Sequence, residues 1–554
     1  MAGNGWHAHC YTSAAEGTSH KCNRMHTLLS DLIRESADAG PASVALLHRD
    51  REISYAELCD ATGAVARGLA ALGLERDERV AVYLPKVPET VVAMFGAVEA
   101  GGVFVPVNPV LKPAQVGHIL RDCNVRVLVT SASRAELLAD TLASCPDLGH
   151  VVLLDRGNDA PALGARRPVS WEELISAGNG PLPGRRIDAD MAAILYTSGS
   201  TGRPKGVVLS HRNMVAGAES VASYLENRPD DRLLAVLPFS FDYGLSQLTT
   251  AFSRGATVAL IDYLLPRDVV DAVVRYRVTG LACVPPLWNQ VAHLEWPEAA
   301  RESLRYVTNS GGAMPLTTTR ALRRALPRTR IYLMYGLTEA FRSTYLPPEE
   351  VDRRPDSMGK AIPNAEIRVV REDGTECAPG EPGELVHRGA LVALGYWNDP
   401  VRTAERFRPA PGQPAGLPYP EMAVWSGDQV RRDEAGFLYF VSRKDEMIKS
   451  SGYRISPTEI EEIVYEYGGI AQAVAMGVPH PALGQGVVLV VQCMDDAVNA
   501  DAILDHCRQN LPAFMLPQVV HVRQELPHNA NGKIDRRALR DEFEDIFSVP
   551  EGAA

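Results

Sequence analysis

The hydrophobic positions from residue 26 onward alternate between segments with helical spacing and short continuous apolar runs. Residues 54–72 are alanine-rich and amphipathic, whereas the run RVAVYL over 79–84 is typical of a buried strand. A repeated order of strand and helix favours α/β layers with parallel strand pairing. The pattern predicts helices over 26–36, 54–72 and 88–100, and strands over 79–84, 125–130, 151–154, 233–237, 257–261, 281–284 and 306–308.

The pattern changes near the C-terminus. The segment RPAPGQPAGLPYP over 408–420 is rich in proline and glycine, which is typical of a loop. After residue 443 a short mixture of helix and strand follows, which predicts a small α+β domain of about 100 residues. Its predicted elements are helices over 459–466 and 502–511 and strands over 473–478 and 487–491. A chain of 554 residues is too long for one core, so two or more domains are expected.

The composition excludes several classes of protein. The hydrophobic fraction of 46% and the charged fraction of 22% are those of an ordinary globular protein. The net charge of −12 leaves no polybasic face, so we expect no nucleic-acid partner. We also expect no membrane span and no signal peptide, because the apolar runs are too short and the N-terminus lacks the required pattern. Nine scattered cysteines favour reduced thiols in a cytoplasmic enzyme.

The first 24 residues differ from the rest of the chain. They contain five possible zinc ligands, namely His7, His9, Cys10, His20 and Cys22. No pair of them has the spacing of a known zinc finger, and no apolar pattern supports a fold. A disordered extension over 1–24 is therefore favoured over a metal site, and the sequence leaves open whether the natural protein carries it.

The stretch YTSGSTGRPKGVVLSHRN, over 196–213, carries the strongest chemical signal. Its ten residues from Thr197 to Gly206 hold three glycines, four hydroxyl side chains, an arginine and Lys205. Small residues let backbone N–H groups approach a ligand closely, while hydroxyls and a lysine add donors and positive charge. Such a loop predicts a cradle for a polyphosphate. The spacing differs from G-x-x-x-x-G-K-[ST], which excludes the common P-loop.

This loop resembles the phosphate loop of the adenylate-forming (AMP-binding) superfamily, which includes acyl-CoA ligases, luciferases and the adenylation domains of peptide synthetases. Three further stretches resemble motifs of the same family in the same order: YGLTE over 335–339, the block over 426–461 that begins SGDQV, and NGKIDR over 531–536. The resemblance covers about residues 25–545. It implies a large N-terminal AMP-binding domain of several subdomains over 25–444, and a mobile C-terminal domain over 445–545 joined by a hinge at Asp445.

The resemblance also implies the chemistry. A carboxylate attacks the α-phosphate of ATP to give an acyl-adenylate and pyrophosphate, and a thiol then displaces AMP. ATP and Mg²⁺ are the expected cofactors, with Glu339 as the magnesium partner. The implied ATP-binding residues are Thr197, Ser198, Gly199, Ser200, Thr201, Gly202 and Lys205 for the β- and γ-phosphates, Thr338 for the α-phosphate, Tyr335 for adenine, Asp428 for the ribose hydroxyls, and Arg443 near the hinge.

A second lysine is implied at the C-terminus. Lys533, in NANGKIDR, resembles the family lysine that bonds both the carboxylate and the α-phosphate. Rotation about Asp445 would bring either Lys533 or the segment KSSG, from Lys449 to Gly452, to the reaction centre. The second orientation would serve an incoming pantetheine thiol. The family often has a basic or bulkier residue where Ser450 and Ser451 stand.

The segment LPFSFDYGLSQL over 237–248 bears on the choice of acid. Its Phe241–Asp242 pair resembles the version found in amino-acid adenylation domains, where the aspartate binds the substrate ammonium. A carboxylate in a largely apolar pocket costs several kcal/mol unless a cation pairs with it, and the alternative is a surface or structurally paired aspartate. If Arg342 faces the pocket, it would bind a second carboxylate or a hydroxyl, and the alternative is an outward salt bridge. The pocket residues implied by the resemblance are Asp242, Tyr243, Cys283, Thr308, Ser310, Met334 and Arg342.

Three functions follow from these motifs. The first is an enzyme that adenylates an amino acid and loads it onto a separate acyl or peptidyl carrier protein, since no pantetheine-serine motif follows Lys533. The second is an acyl- or aryl-CoA ligase that uses free CoA. The third is a degenerate nucleotide-binding scaffold, which the presence of Lys205, Glu339, Asp428 and Lys533 disfavours.

Overall fold

A computed structural model gives the structure of the protein. It describes residues 26–155, 168–178, 180, 182, 186–197, 204–312, 314, 316–414, 416–443, 448–455, 457–467, 469–493, 499–527, 534 and 536–548. The extension over 1–24, the hinge at Asp445 and Lys533 lie outside the described residues, so the predictions made for them stay predictions.

Helices and strands alternate through most of the described chain. The helices are α1 (Asp31–Ala39), α2 (Tyr55–Ala71), α3 (Pro88–Glu99), α4 (Pro113–Asp122), α5 (Ala132–Leu137), α6 (Ala139–Ala143), α7 (Trp171–Ser176), α8 (His211–Tyr224), α9 (Asp242–Phe252), α10 (Pro266–Tyr276), α11 (Pro285–Val291), α12 (Glu298–Ser303), α13 (Leu316–Ala325), α14 (Pro400–Arg406), α15 (Pro457–Glu466), α16 (Ala500–Asn510) and α17 (Arg536–Phe543), with 3₁₀ turns at Thr338–Ala340 and Ala513–Met515. The strands are β1 (Val44–His48), β2 (Arg51–Ser54), β3 (Arg79–Tyr83), β4 (Val103–Pro106), β5 (Val125–Thr130), β6 (His150–Leu153), β7 (Val169–Ser170), β8 (Met191–Thr197), β9 (Lys205–Ser210), β10 (Arg232–Ala235), β11 (Thr257–Leu260), β12 (Gly280–Cys283), β13 (Tyr306–Asn309), β14 (Arg330–Tyr335), β15 (Thr344–Leu346), β16 (Ser357–Ala361), β17 (Ala365–Val370), β18 (Gly383–Gly389), β19 (Gly395–Tyr396), β20 (Phe407–Pro409), β21 (Met422–Arg432), β22 (Leu438–Arg443), β23 (Ile448–Ser450), β24 (Tyr453–Ile455), β25 (Ile470–His480), β26 (Gly484–Cys493) and β27 (Val519–Arg523).

Two large sheets build the N-terminal part. One has the order β19-β9-β8-β4-β3-β5-β6-β7. The other runs β17-β18-β21-β22-β16-β15-β14-β13-β12-β10-β11-β1-β2, with β20 beside β21. Strands β10 to β14 pair in parallel, as the strand–helix alternation predicts, whereas β14 to β22 pair antiparallel. One hydrophobic core takes residues from both sheets, from β3 and β4 on one side and β1 and β11 on the other, together with α2, α3 and α9.

The C-terminal part is a separate small sheet with helices. Its order is β24-β23-β26-β25, with β27 parallel to β26. Alternate residues of β25 face two different hydrophobic clusters: Ala473 and Ala475 lie with Ile455 and α16, and Val474 and Met476 lie with α17. The described residues therefore confirm the fold class, a large α/β N-terminal region followed by a small α+β domain.

The local sequence accounts for several element boundaries. Ser54 caps α2 because its hydroxyl accepts from the Glu57 N–H while the Glu57 carboxylate accepts from the Ser54 N–H. The helix predicted over 26–36 begins later, at Asp31, because the Asp31 carboxylate accepts from the Leu28 N–H and holds the preceding residues in a turn. No helix in the described part of the chain is long and apolar enough to cross a bilayer.

Candidate active site

The phosphate-loop motif joins two antiparallel strands. Thr197 ends β8 and lies opposite Lys205, the first residue of β9, and these two strands form the phosphate hairpin. Its residues Ser198, Gly199, Ser200, Thr201 and Gly202 lie outside the described part of the chain. The Thr197 Oγ1 is buried and has no hydrogen-bond partner among the described residues, which leaves a polar atom for a ligand oxygen.

Lys205 belongs to a compact polar triad. Its Nζ lies 2.6 Å from the Tyr396 Oη and 3.2 Å from the Glu339 Oε1. The Tyr396 hydroxyl in turn donates to the same carboxylate oxygen at 2.6 Å. The two charged side chains are largely buried, so their attraction is screened less than it would be at the surface. The triad fixes the lysine ammonium beside the base of the phosphate loop.

Tyr396 is a site residue that the sequence did not reveal. It lies in β19, which pairs with β9 so that Tyr396 stands opposite Val207. Burial, and the nearby Glu339 charge, raise the pKa of the Tyr396 hydroxyl well above its usual value, so it remains a donor. Lys205 and Tyr396 lie 191 positions apart in the chain, and no local sequence pattern links them.

Glu339 fits the role of the protein ligand to a magnesium ion that is held mainly by the nucleotide. Glu339 is the carboxylate beside Lys205, and it is 5% exposed. No cluster of three or more potential metal ligands occurs among the described residues. Mg²⁺ in nucleotide sites takes one or two carboxylates together with substrate phosphates, so Glu339 would supply the protein's oxygen ligand.

The residues implied for the nucleoside lie together. The Tyr335 hydroxyl, at the end of β14, donates to the Asp428 carboxylate at 2.5 Å. Asp428 is 1% exposed, and its N–H donates to the Ser426 hydroxyl at 3.1 Å. The backbone of Arg443 pairs with Asp428 across β21 and β22. The structure thus brings these three predicted residues to one place.

A cavity runs from the phosphate hairpin to the C-terminal domain. Of the seven predicted pocket residues, Asp242, Tyr243, Ser310 and Arg342 line it. The other three do not line it: Cys283 is fully buried, Thr308 bonds the Tyr243 hydroxyl at 2.5 Å, and the Met334 sulfur accepts from Tyr224 at 3.0 Å. Thr338, predicted for the α-phosphate, lines the same cavity.

Arg342 points inward rather than toward solvent. It is 1% exposed and follows the 3₁₀ turn Thr338–Ala340. Its Nη1 donates to the Ser310 Oγ at 2.9 Å, and the guanidinium lies 4.7 Å from the centre of the Tyr243 ring. Of the two arrangements that the sequence leaves open for Arg342, the structure shows the one in which it faces the pocket.

The C-terminal domain closes one side of the cavity with Gly452, Tyr453, Glu459, Phe514 and Met515. The Gln115 side chain in α4 donates to the Glu459 carboxylate at 3.1 Å, which ties the two domains. Gly452 has a φ of +80°, and a Cβ there would lie 2.7 Å from Val284, so this close approach requires glycine.

The KSSG segment of the C-terminal domain reaches the cavity through its last residue. Gly452 faces the cavity, and Lys449 lies in β23 with its Nζ 4.1 Å from the Phe440 ring centre. Ile534, the described residue next to the C-terminal lysine motif, packs in the cluster of Val474 and Met476, on the sheet face opposite to Phe514 and Met515.

Family comparisons agree with this architecture. The model of the AMP-binding enzyme family matches residues 33–397, and the model of the AMP-binding enzyme C-terminal domain matches residues 459–533. The chain belongs to the AMP-binding enzyme family.

Individual relatives of this AMP-binding enzyme belong to more than one class. The long-chain-fatty-acid–CoA ligase of Salmonella typhimurium is 32% identical over 546 residues, which cover 93% of this chain and 94% of the ligase. Tyrocidine synthase 3 of Brevibacillus parabrevis is 30% identical over 515 residues, which cover 92% of this chain and 8% of the synthase. A double mutant of the o-succinylbenzoate CoA synthetase of Bacillus subtilis, solved with a product analogue, has a TM-score of 0.77 at 25% identity, covering 92% of this chain and 98% of the synthetase. The AMP-binding enzyme described here is thus an AMP-forming acid–thiol ligase.

Proposed function

We propose that this ligase activates an amino acid and transfers it to the phosphopantetheine thiol of a separate carrier protein. The observation that carries the proposal is the position of Asp242. It is the first residue of α9, it is 5% exposed, and it lines the cavity that the acid must enter. A carboxylate at this position is suited to a substrate ammonium group, and no such group exists on a simple fatty acid.

In the first step, a carboxylate oxygen of the substrate attacks the α-phosphorus of ATP, and the bond to pyrophosphate breaks. Lys205 would hold the β- and γ-phosphates and offset their charge, while Thr338 would donate to the α-phosphate. Asp428 and Tyr335 would hold the ribose and adenine. Lys533 would bridge the attacking carboxylate and the α-phosphate in the other orientation of the C-terminal domain.

In the second step, the thiol sulfur attacks the acyl carbonyl carbon, the bond to AMP breaks, and the thiol proton leaves to solvent. A second cavity adjoins the first and is lined by Ser451, Gly452, Tyr453 and Val284. We assign it as the path of the pantetheine arm, because it meets the acid cavity at Gly452.

The test is pyrophosphate release with ATP and Mg²⁺ over the twenty amino acids and matched acids that lack the amino group. We expect one amino acid to be preferred, and Asp242→Ala to lower its kcat/KM about 10- to 100-fold by removing a charged hydrogen-bond partner. For the acid that lacks the amino group, kcat/KM of the Asp242→Ala variant should equal that of the wild type. Asp271→Ala, at an exposed aspartate of α10, is the matched control. Equal loss for both acids, or preference for simple acids, would contradict the proposal.

The second candidate is an acyl-CoA ligase that uses free CoA. The second cavity carries two cations, Lys86 and Arg134, which suit the phosphates of CoA. Lys86 already pairs with Asp262 at 3.2 Å, and Arg134 bonds the Pro109 carbonyl at 2.8 Å. Thioester formation measured with CoA and with a phosphopantetheinylated carrier decides between the acceptors.

A further inference from the structure

Within the part of the chain that the structure describes, the hydrogen bonds of Arg342 are incomplete. Its Nη1 donates to Ser310, but its Nε and Nη2 are buried and have no hydrogen-bond partner among the described residues. No ion pair of Arg342 occurs in the described part of the chain either. A buried guanidinium with two unsatisfied donors costs free energy, so its presence in a pocket needs an explanation.

The geometry of the two donors indicates what would satisfy them. The Nε–H and Nη2–H groups lie on one edge of the planar guanidinium, where they can bind both oxygens of a carboxylate side by side. The remaining Nη1 is held by Ser310, and the flat face lies over Tyr243. The described residues therefore fix the arginine and leave its bidentate edge for another group.

The backbone holds Arg342 in this position. The preceding Phe341 has a φ of +55°, which is rare for a bulky residue. Its ring is fully buried against Gly217, where a Cβ would lie 2.5 Å from the ring. A strained turn locked by such packing is not free to swing the arginine toward solvent.

Two anions enter this site with every turnover, the reacting carboxylate and the phosphates. The phosphate hairpin already provides Lys205, and Arg342 instead contacts Ser310 and Tyr243 on the wall that also carries Asp242. We propose that Arg342 binds a second acidic group of the substrate. This inference rests on the proposed function, in which Asp242 binds the substrate ammonium. Together the two roles make the substrate an amino acid with an acidic side chain.

The experiment compares isosteric pairs in the pyrophosphate-release assay: glutamate with glutamine, aspartate with asparagine, and glutarate and succinate with monocarboxylic acids of equal length. For the wild-type enzyme we expect the diacid to be preferred over its uncharged partner by at least about 100-fold in kcat/KM, because the uncharged partner leaves the guanidinium unpaired. This comparison needs no variant.

Arg342→Gln should abolish the preference through a higher KM for the diacid, with ATP affinity unchanged. Arg342→Lys should recover part of it, because the charge remains but the two-donor edge is lost. Arg353→Gln, at an exposed arginine, is the matched control. Thermal denaturation of each variant shows whether it is folded.

The outcomes separate the inference from the proposed function. Preference for a neutral amino acid would overturn the role of Arg342 and leave that of Asp242 intact. Strong activity with glutarate or succinate but not with glutamate or aspartate would support Arg342 and overturn the amino-acid proposal. An equal loss for all acids with a higher KM for ATP would assign Arg342 to the nucleotide and overturn the inference.

Discussion

At the end of the site that we propose binds the nucleotide, the nucleotide end, Lys205, Tyr396 and Glu339 bond to one another within 3.2 Å, and Tyr335 donates to Asp428. At the end that we propose binds the acid, the acid end, the guanidinium of Arg342 keeps one bond to Ser310 and two buried donors without a partner among the described residues. The first region is organised by its own side chains. The second region is arranged so that a ligand completes it.

This difference matches what each region must bind. ATP is the same molecule in every turnover, so a preorganised set of charges serves all acids equally. The acid is the variable partner in this family, and a pocket discriminates most strongly when its buried polar groups are satisfied by only one ligand. Changes at the nucleotide end should therefore affect all acids alike, and changes at the acid end should affect some acids only.

The largest effect is expected for Lys205→Met. Removing the ammonium takes away charge stabilisation of the phosphates, so adenylate formation should fall about 100- to 1,000-fold with every acid tested. Pyrophosphate release measures the rate, and Lys360→Met, at an exposed lysine, is the control. A loss confined to one class of acid would break the distinction between the two ends.

An intermediate effect on stability is expected at His387, whose Nδ1 lies 2.9 Å from the hydroxyl of Ser343, the neighbour of Arg342. Burial lowers the pKa of His387 from 6.5 to about 3. The unfolded chain therefore takes up a proton below pH 6.5 while the folded chain does not, and stability is lost as the pH falls. At pH 5 the loss from this group is about 2 kcal/mol.

Urea denaturation of wild type and His387→Gln at pH 7.5 and pH 5 measures this loss. The variant lacks the titrating group, so its stability should fall less between the two pH values. Parallel losses in both proteins would show that His387 does not remain neutral beneath the acid end.

The smallest effect is expected for Tyr396→Phe. The ring remains, and Lys205 still meets Glu339 directly at 3.2 Å, so only the bridging hydroxyl is lost. We expect adenylate formation to slow about 5- to 10-fold, equal for all acids, which corresponds to about 1 kcal/mol, the net contribution of one ordinary hydrogen bond. Tyr419→Phe, at a tyrosine that is 87% exposed, is the control. An unchanged rate would remove Tyr396 from the nucleotide end.

Much of the fold follows from local pattern, because the hydrophobic pattern of consecutive residues is enough to predict a buried strand or an amphipathic helix. The strand predicted over 125–130 coincides with β5, and the helix predicted over 54–72 differs from α2 by one residue at each end. The antiparallel half of the large sheet was not predicted. Periodicity does not reveal partners such as Ser357 and Tyr439, which pair from 82 positions apart.

The site residues also divide into those that local motifs predict and those whose roles depend on distant parts of the chain. Motifs led to Lys205, Glu339, Tyr335 and Asp428, and the structure brings them together in two clusters. Tyr396 was not predicted, because its role depends on the pairing of β19 with β9. The inward direction of Arg342 depends on the positive φ of Phe341, which the sequence does not reveal.

Asp242 and Arg342, one carboxylate and one guanidinium, line the same cavity. An evolutionary or engineered change of substrate therefore cannot proceed by one neutralising substitution without leaving the opposite charge behind in a buried wall. Paired substitutions at both positions form the shorter route to a ligase for uncharged acids, and libraries for altering this enzyme should vary the two codons together.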